Sequence, residues 1–171
     1  MLYDPTKEYG ELYDLSLAEN YTYTVYYNFS ELIKTLIIIS YPANEQIQAI
    51  GFGAVADEMV LDFDNYYALQ KDNYIKYGLI NLEQKALLDD LNLLFEEYSA
   101  GNNPDFWDDY KLGQNPDWDI VRLKAKNIIE QIKMDHLILK LDRKQKVDKK
   151  GNILIESTKY TLIDKNIYKS I

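Results

Sequence analysis

Apolar and polar positions along this chain follow two different rhythms. In "LEQKALLDDLNLLFEEYSA", Leu87, Leu91, Leu94 and Tyr98 recur at steps of four, three and four, the period of one helix face. Asn81 precedes that run as an N-cap and Gly101 follows it as a stop. Val121, Ala125, Ile128 and Ile132 keep the same period, behind Asn115 as N-cap and Pro116 at the first helical position, and predict a helix through Met134. The same start, Asn103-Pro104-Asp105, predicts a shorter helix to about Leu112, ahead of Gly113. Asp57 reads as the cap of a helix from Glu58 to near Gly78, and Asp4-Pro5 as the start of a short one reaching about Glu19.

Elsewhere the composition is that of strands. "YTYTVYY" (Tyr21–Tyr27) is β-branched and aromatic throughout. Near the C-terminus two β-rich runs flank "DKKGN", whose Gly151 can take the positive φ of a hairpin turn. Residues 30–50 stay open: Ser30-Glu31 can begin a helix, yet the three isoleucines of "LIIIS" suit a buried strand, and Pro42 breaks either. The expected fold is mainly α (α+β). It is a single-domain helical bundle over residues 1–171, with a helical core at about 29–136 and an antiparallel hairpin at about 137–163. The run at Tyr21 is a candidate third strand.

Composition narrows the chemistry. The 171 residues are enough for one domain with a real core, and 47% hydrophobic content argues against disorder. With no cysteine there are no disulfides, thiolate nucleophiles or thiolate-bound metals. The single histidine, His136, makes a Ser-His-Asp set or a histidine-ligated metal improbable; it is expected to mark a helix end. The acidic start "MLYDPTKEYGELYD" has no apolar core of a signal peptide, and "LIIIS" is too short to span a bilayer, so a cytoplasmic location is expected. No cofactor or metal is expected.

The net charge of −9 is unevenly laid out. Residues 1–56 hold two Lys/Arg against seven Asp/Glu, residues 57–119 four against fifteen, and residues 120–171 thirteen against six. The acidic middle repels nucleic acid and membrane lipid and attracts a cationic partner. The basic tail can bind an anion or partly neutralise that middle.

Candidate motifs are few. "DEMVLDFD" is the densest group of carboxylates, but it lacks the glycine and terminal glutamate of a calcium loop. "GFGAVA" lacks the third glycine of a dinucleotide loop, and its glycines are expected to turn the chain between helices. Trp107 and Trp118 each stand among aspartates, either as core anchors where helices begin or as an acid-ringed dock for a basic partner.

Three stretches, "SYPANEQIQAIGFGAVADEMVLDFDNYY", "LDDLNLLFEEYSAGNNPDFW" and "DWDIVRLKA", cover roughly residues 40–125. In these the chain resembles a mostly helical group of bacterial immunity proteins, which neutralise the toxin of a polymorphic toxin or contact-dependent growth inhibition system. The resemblance implies a binding role without turnover, against a cognate toxin domain with a basic surface, such as a nuclease. It transfers no individual residue. The acidic middle itself supplies the candidate partner-binding residues: Asp57, Glu58, Asp62, Asp64, Asp89, Asp90, Glu96, Glu97, Asp105, Trp107, Asp108 and Asp109. Two rival readings are a carboxylate-dependent hydrolase, which needs two inward-facing acids in a pocket, and an acidic scaffold or DNA-mimicking regulator.

Overall fold

The computed structural model describes residues 2–10, 18–101 and 103–168. They form a mainly helical fold with one two-stranded antiparallel sheet. In chain order come α1 (Ala18–Ser40), α2 (Ala43–Ile50), α3 (Val55–Phe63), a π-helical turn (Asp64–Ala68), α4 (Lys71–Lys76) and α5 (Leu82–Ala100). Two 3₁₀ turns (Pro104–Phe106 and Asp109–Lys111), α6 (Pro116–Gln131), β1 (Leu137–Val147), β2 (Ile153–Asp164) and α7 (Lys165–Tyr168) complete it.

The largest departure from expectation is α1. The run Tyr21–Tyr27 is not a strand; it lies within a 23-residue helix that also takes in the three isoleucines. Val25, Phe29, Leu32, Leu36 and Ile39 are almost wholly buried, and their spacing of four, three, four and three is a helical stripe that outweighs β-branched propensity. Ile33, Ile37 and Ile38 are buried too, so the helix is apolar over most of its girth, as a central helix must be. It packs against α6, α3, α2, α4 and β1. Among the described residues the sheet therefore has no third strand, and the helical core begins at Ala18 rather than near residue 29. The short helix expected from Asp4 is absent over residues 2–10, where Asp4 instead closes a turn through its carboxylate and the Thr6 amide. The rest of that expectation, at 11–17, lies outside the described residues.

Helix ends follow local chemistry where the caps are local. Asn81 and Gln84 form a reciprocal capping box at 2.8 Å in each direction. The buried line of α5 is Leu88, Leu91 and Phe95, with Leu87, Leu94 and Tyr98 half-buried at its edges. The Asn115 side chain accepts the Asp117 amide at 2.9 Å to start α6, whose predicted stripe is buried throughout. That helix ends at Gln131 rather than Met134, and Lys133 leaves it with φ of 63°. His136 thus sits past the helix, in the turn into β1.

Between Asn103 and Leu112 two short turns replace the expected helix. The Phe106 carbonyl, which a helix would offer to the Tyr110 amide, accepts instead from Trp118 Nε1 at 2.7 Å. The Tyr110 amide turns to Asp108 at 3.0 Å. Asn103 caps nothing, and its amide donates to Asp117 at 3.0 Å.

The hairpin joins the body through its inner half. Leu137 and Leu162 are buried, and Arg143 reaches the last carbonyls of α2, Gln48 and Ala49, at 2.9 and 2.7 Å. Tyr160 donates to the same Ala49 carbonyl at 2.5 Å. These donors satisfy acceptors that a helix C-terminus leaves open. From Lys144 outward, beyond a bulge, both strands are exposed on both faces except at Ile155.

Candidate functional site

Helix α3 does not use Asp57 as its cap; it begins at Val55, and its residues Asp57 and Glu58 fall in the first turn, favoured there by the helix dipole. The cap arrives from far along the chain. The Asp109 carboxylate accepts the amides of Val55 and Ala56 at 2.9 and 3.1 Å. Ala56, Met59 and Phe63 bury one side of the helix, which leaves Asp57 and Leu61 on an exposed ridge. Glu58 and Asp62, one turn apart, border a cleft on one flank, and Val60 and Asp64 border a groove on the other.

The cleft, of about 370 Å³, lies between α3, the α2–α3 turn and β2, with Ile50, Phe52, Ile155 and Tyr160 as its apolar walls. Burial pushes the Asp62 carboxyl up to about 6, and the neighbouring charges of Glu58 and Glu31 push the same way. The groove, of about 440 Å³, lies between α3 and α5; its apolar walls are Val60, Leu61, Phe63 and Phe95, and Asp64 and Glu96 stand at its rim.

The twelve candidate residues divide according to what already holds them. Asp89 accepts from Tyr67 at 2.7 Å and pairs with Lys85 at 2.6 Å and Lys71 at 3.4 Å. Burial opposes its ionisation, but those hydrogen bonds and the lysine charges hold its carboxyl below the ordinary value. Asp90 pairs with Lys124, and Asp105 with Lys111 at 2.6 Å. Asp108 and Asp109 serve the backbone, as described. Trp107 is half-buried, edge-on to Phe106 with centroids 4.9 Å apart, and its Nε1 donates to the Tyr98 carbonyl at 3.3 Å. Trp118 is fully buried and stacks on Phe106 at 4.6 Å. The other six, Asp57, Glu58, Asp62, Asp64, Glu96 and Glu97, form no ion pair among the described residues. All six lie on α3, on the turn that continues it, or on the second half of α5.

Among the described residues the basic tail pairs with the acidic middle through α6 alone. Lys124 meets Asp90, whereas the hairpin lysines with ion pairs turn to Asp142, Glu156 and Glu8. Phe52, Glu31 and Tyr160 complete the surroundings of Glu58 and Asp62, and no sequence signal pointed to them because they come from separate elements. Among the described residues no group of acids and imidazoles converges as a metal site requires, and no helix is long and apolar enough to cross a membrane. No known protein family matches the chain, and neither a curated protein nor a solved structure matches it.

Proposed function

We propose that this protein is a cytoplasmic immunity protein, which neutralises a toxin domain by laying the acidic ridge of α3 and α5 over a basic active site. The observation that carries this reading is the segregation of charge. Of the eleven candidate acids, Asp89, Asp90, Asp105, Asp108 and Asp109 are used by cations or backbone amides of the fold, and the six on the ridge are not. Uncompensated like charge costs stability and is retained where it serves association; it speeds capture of a cationic partner and sets its orientation. The groove beside Asp64 supplies apolar area, which gives a complex lifetime that charge alone does not. A site built to hold phosphates, as in a nuclease, is the surface such a ridge fits best.

The test is protection. Candidate toxin domains are expressed with and without this chain, and survival is scored alongside in vitro inhibition of the same toxin. Rescue by the wild type that is lost in Asp57→Lys/Asp64→Lys/Glu97→Lys supports the reading. Absence of rescue for every candidate, or full rescue by the charge-reversed variant, sinks it.

A second reading, a carboxylate-dependent hydrolase, draws support from Asp62 and Glu58 sharing one cleft, the first with a raised proton affinity. Turnover on a panel of glycosides and esters that disappears in Asp62→Asn would favour it over inhibition.

A further inference from the structure

The outer hairpin and the α3–α5 groove present opposite chemistries that the fold leaves unmatched. Beyond the bulge, Val147 and Ile153 are partners in the ladder, so their side chains share a face, and they are 63% and 65% exposed. Lys149 and Lys150 follow them in the turn, Lys144 stands on the opposite face of the hairpin, and the three make no ion pair among the described residues. Lys146 has only a 3.9 Å contact with Glu156. Against this basic, apolar tip stands a groove with apolar walls and unpaired acids at its rim, of which Asp64 and Glu96 are the nearest. Within one chain the two sets do not pair.

We infer that the hairpin tip of one copy docks into the α3–α5 groove of a second copy, with Val147 and Ile153 against Leu61 and Val60 and the tip lysines against Asp64 and Glu96. The contact joins two different surfaces, so it is head-to-tail and closes into a ring or grows into a chain. A tip of two short strand ends buries less than a stable dimer needs, so the association is weak and reversible. Exposed charges carry much of it, so salt dissolves it. This inference goes beyond the proposed function and does not depend on it, although both would occupy the ridge, so partner capture and self-association compete.

Sedimentation of the purified protein over a concentration series at low and high salt tests this with the protein alone. The weight-average mass is expected to climb above 20.1 kDa at low salt and to return to one chain at high salt. Two variants locate the surfaces: Lys146→Glu/Lys149→Glu/Lys150→Glu on the hairpin, and Asp57→Lys/Asp64→Lys/Glu96→Lys on the ridge. Each alone is expected to stay at one chain, and mixing them restores the rise in mass. Three reversals change the net charge by six, from −9 to −15 for the first and to −3 for the second. Both stay negative, so general attraction does not explain recovery in the mixture. A wild type that remains one chain at every concentration and salt overturns the inference, as does association that persists in either variant. Neither result bears on toxin protection, which is measured with a different partner.

Discussion

Asp109 caps a helix that begins 54 residues before it: its carboxylate holds the amides of Val55 and Ala56 at 2.9 and 3.1 Å. Both amides belong to the first turn, where no local acceptor exists, because Ala54 stands at the cap position. Asp109→Ala should lower the free energy of unfolding by about 1–2 kcal/mol, the usual worth of an N-cap with a charge at the positive end of the helix. Urea denaturation measures it. An unchanged midpoint would mean that water replaces the carboxylate without loss.

Gly51 has φ of 79°, and a Cβ added there would meet the Arg143 guanidinium at 2.6 Å. Gly51→Ala therefore carries backbone strain and expels the arginine from the α2 carbonyls, for a cost of about 2–3 kcal/mol. Part of that cost is shared with Arg143→Ala. The double variant should consequently be less destabilised than the sum of the two, and a double-mutant cycle by denaturation reads the difference directly.

Asp62 makes stability fall as pH rises. Its folded pKa of about 6 lies above the ordinary 3.8, so between those values the folded state holds a proton that the unfolded state has released. The cost is absent below about pH 4 and complete above about pH 6. Asp62→Asn should stabilise the protein at pH 7.5 by about 1 kcal/mol, once screening at this partly exposed site is allowed for. Near pH 3.8 and below the gain should vanish. A gain of equal size at both ends would show that burial of the charge is not its cause.

Trp118 and Trp107 should behave unequally although their sequence surroundings echo one another. Trp118→Ala empties a fully buried site and leaves the Phe106 carbonyl without its donor, for a loss of about 3–5 kcal/mol. Trp107→Ala removes a half-buried ring and should cost about half as much. Thermal melts of the two variants compare them, and equal losses would refute the assignment of Trp118 as the anchor.

Features made by near neighbours were legible in the sequence. Asn81 and Asn115 announce their helices, and Gly151 its hairpin, because each cap or turn is settled within a few residues. The strand expected at Tyr21–Tyr27 shows where composition misleads. Propensity favoured extended chain, while the stripe continuing from Val25 to Ile39 required a helix, and burial decided between them. The acidic middle was legible as charge but not as surface. Asp89 and Asp109 look no different in sequence from Asp57 and Asp64; what separates them is, beyond the local Lys85 pair, Tyr67, Lys71 and the start of α3, all three fixed by tertiary packing. The cleft at Asp62 was invisible for the same reason, since its walls come from α2, α3 and β2.

The central position of α1 has a consequence for synthesis. Its apolar girth finds its main cover in α6, about ninety residues later, and β1 adds to it later still. A nascent chain therefore carries a long, sticky helix that α2, α3 and α4 cover only in part until α6 has left the ribosome. At ordinary elongation rates of 5–20 residues per second that exposure lasts on the order of 5–20 seconds. The vulnerable moment for this molecule is thus its birth, and a shortage of chaperones should reduce its yield more than a loss of one or two surface contacts in the finished fold.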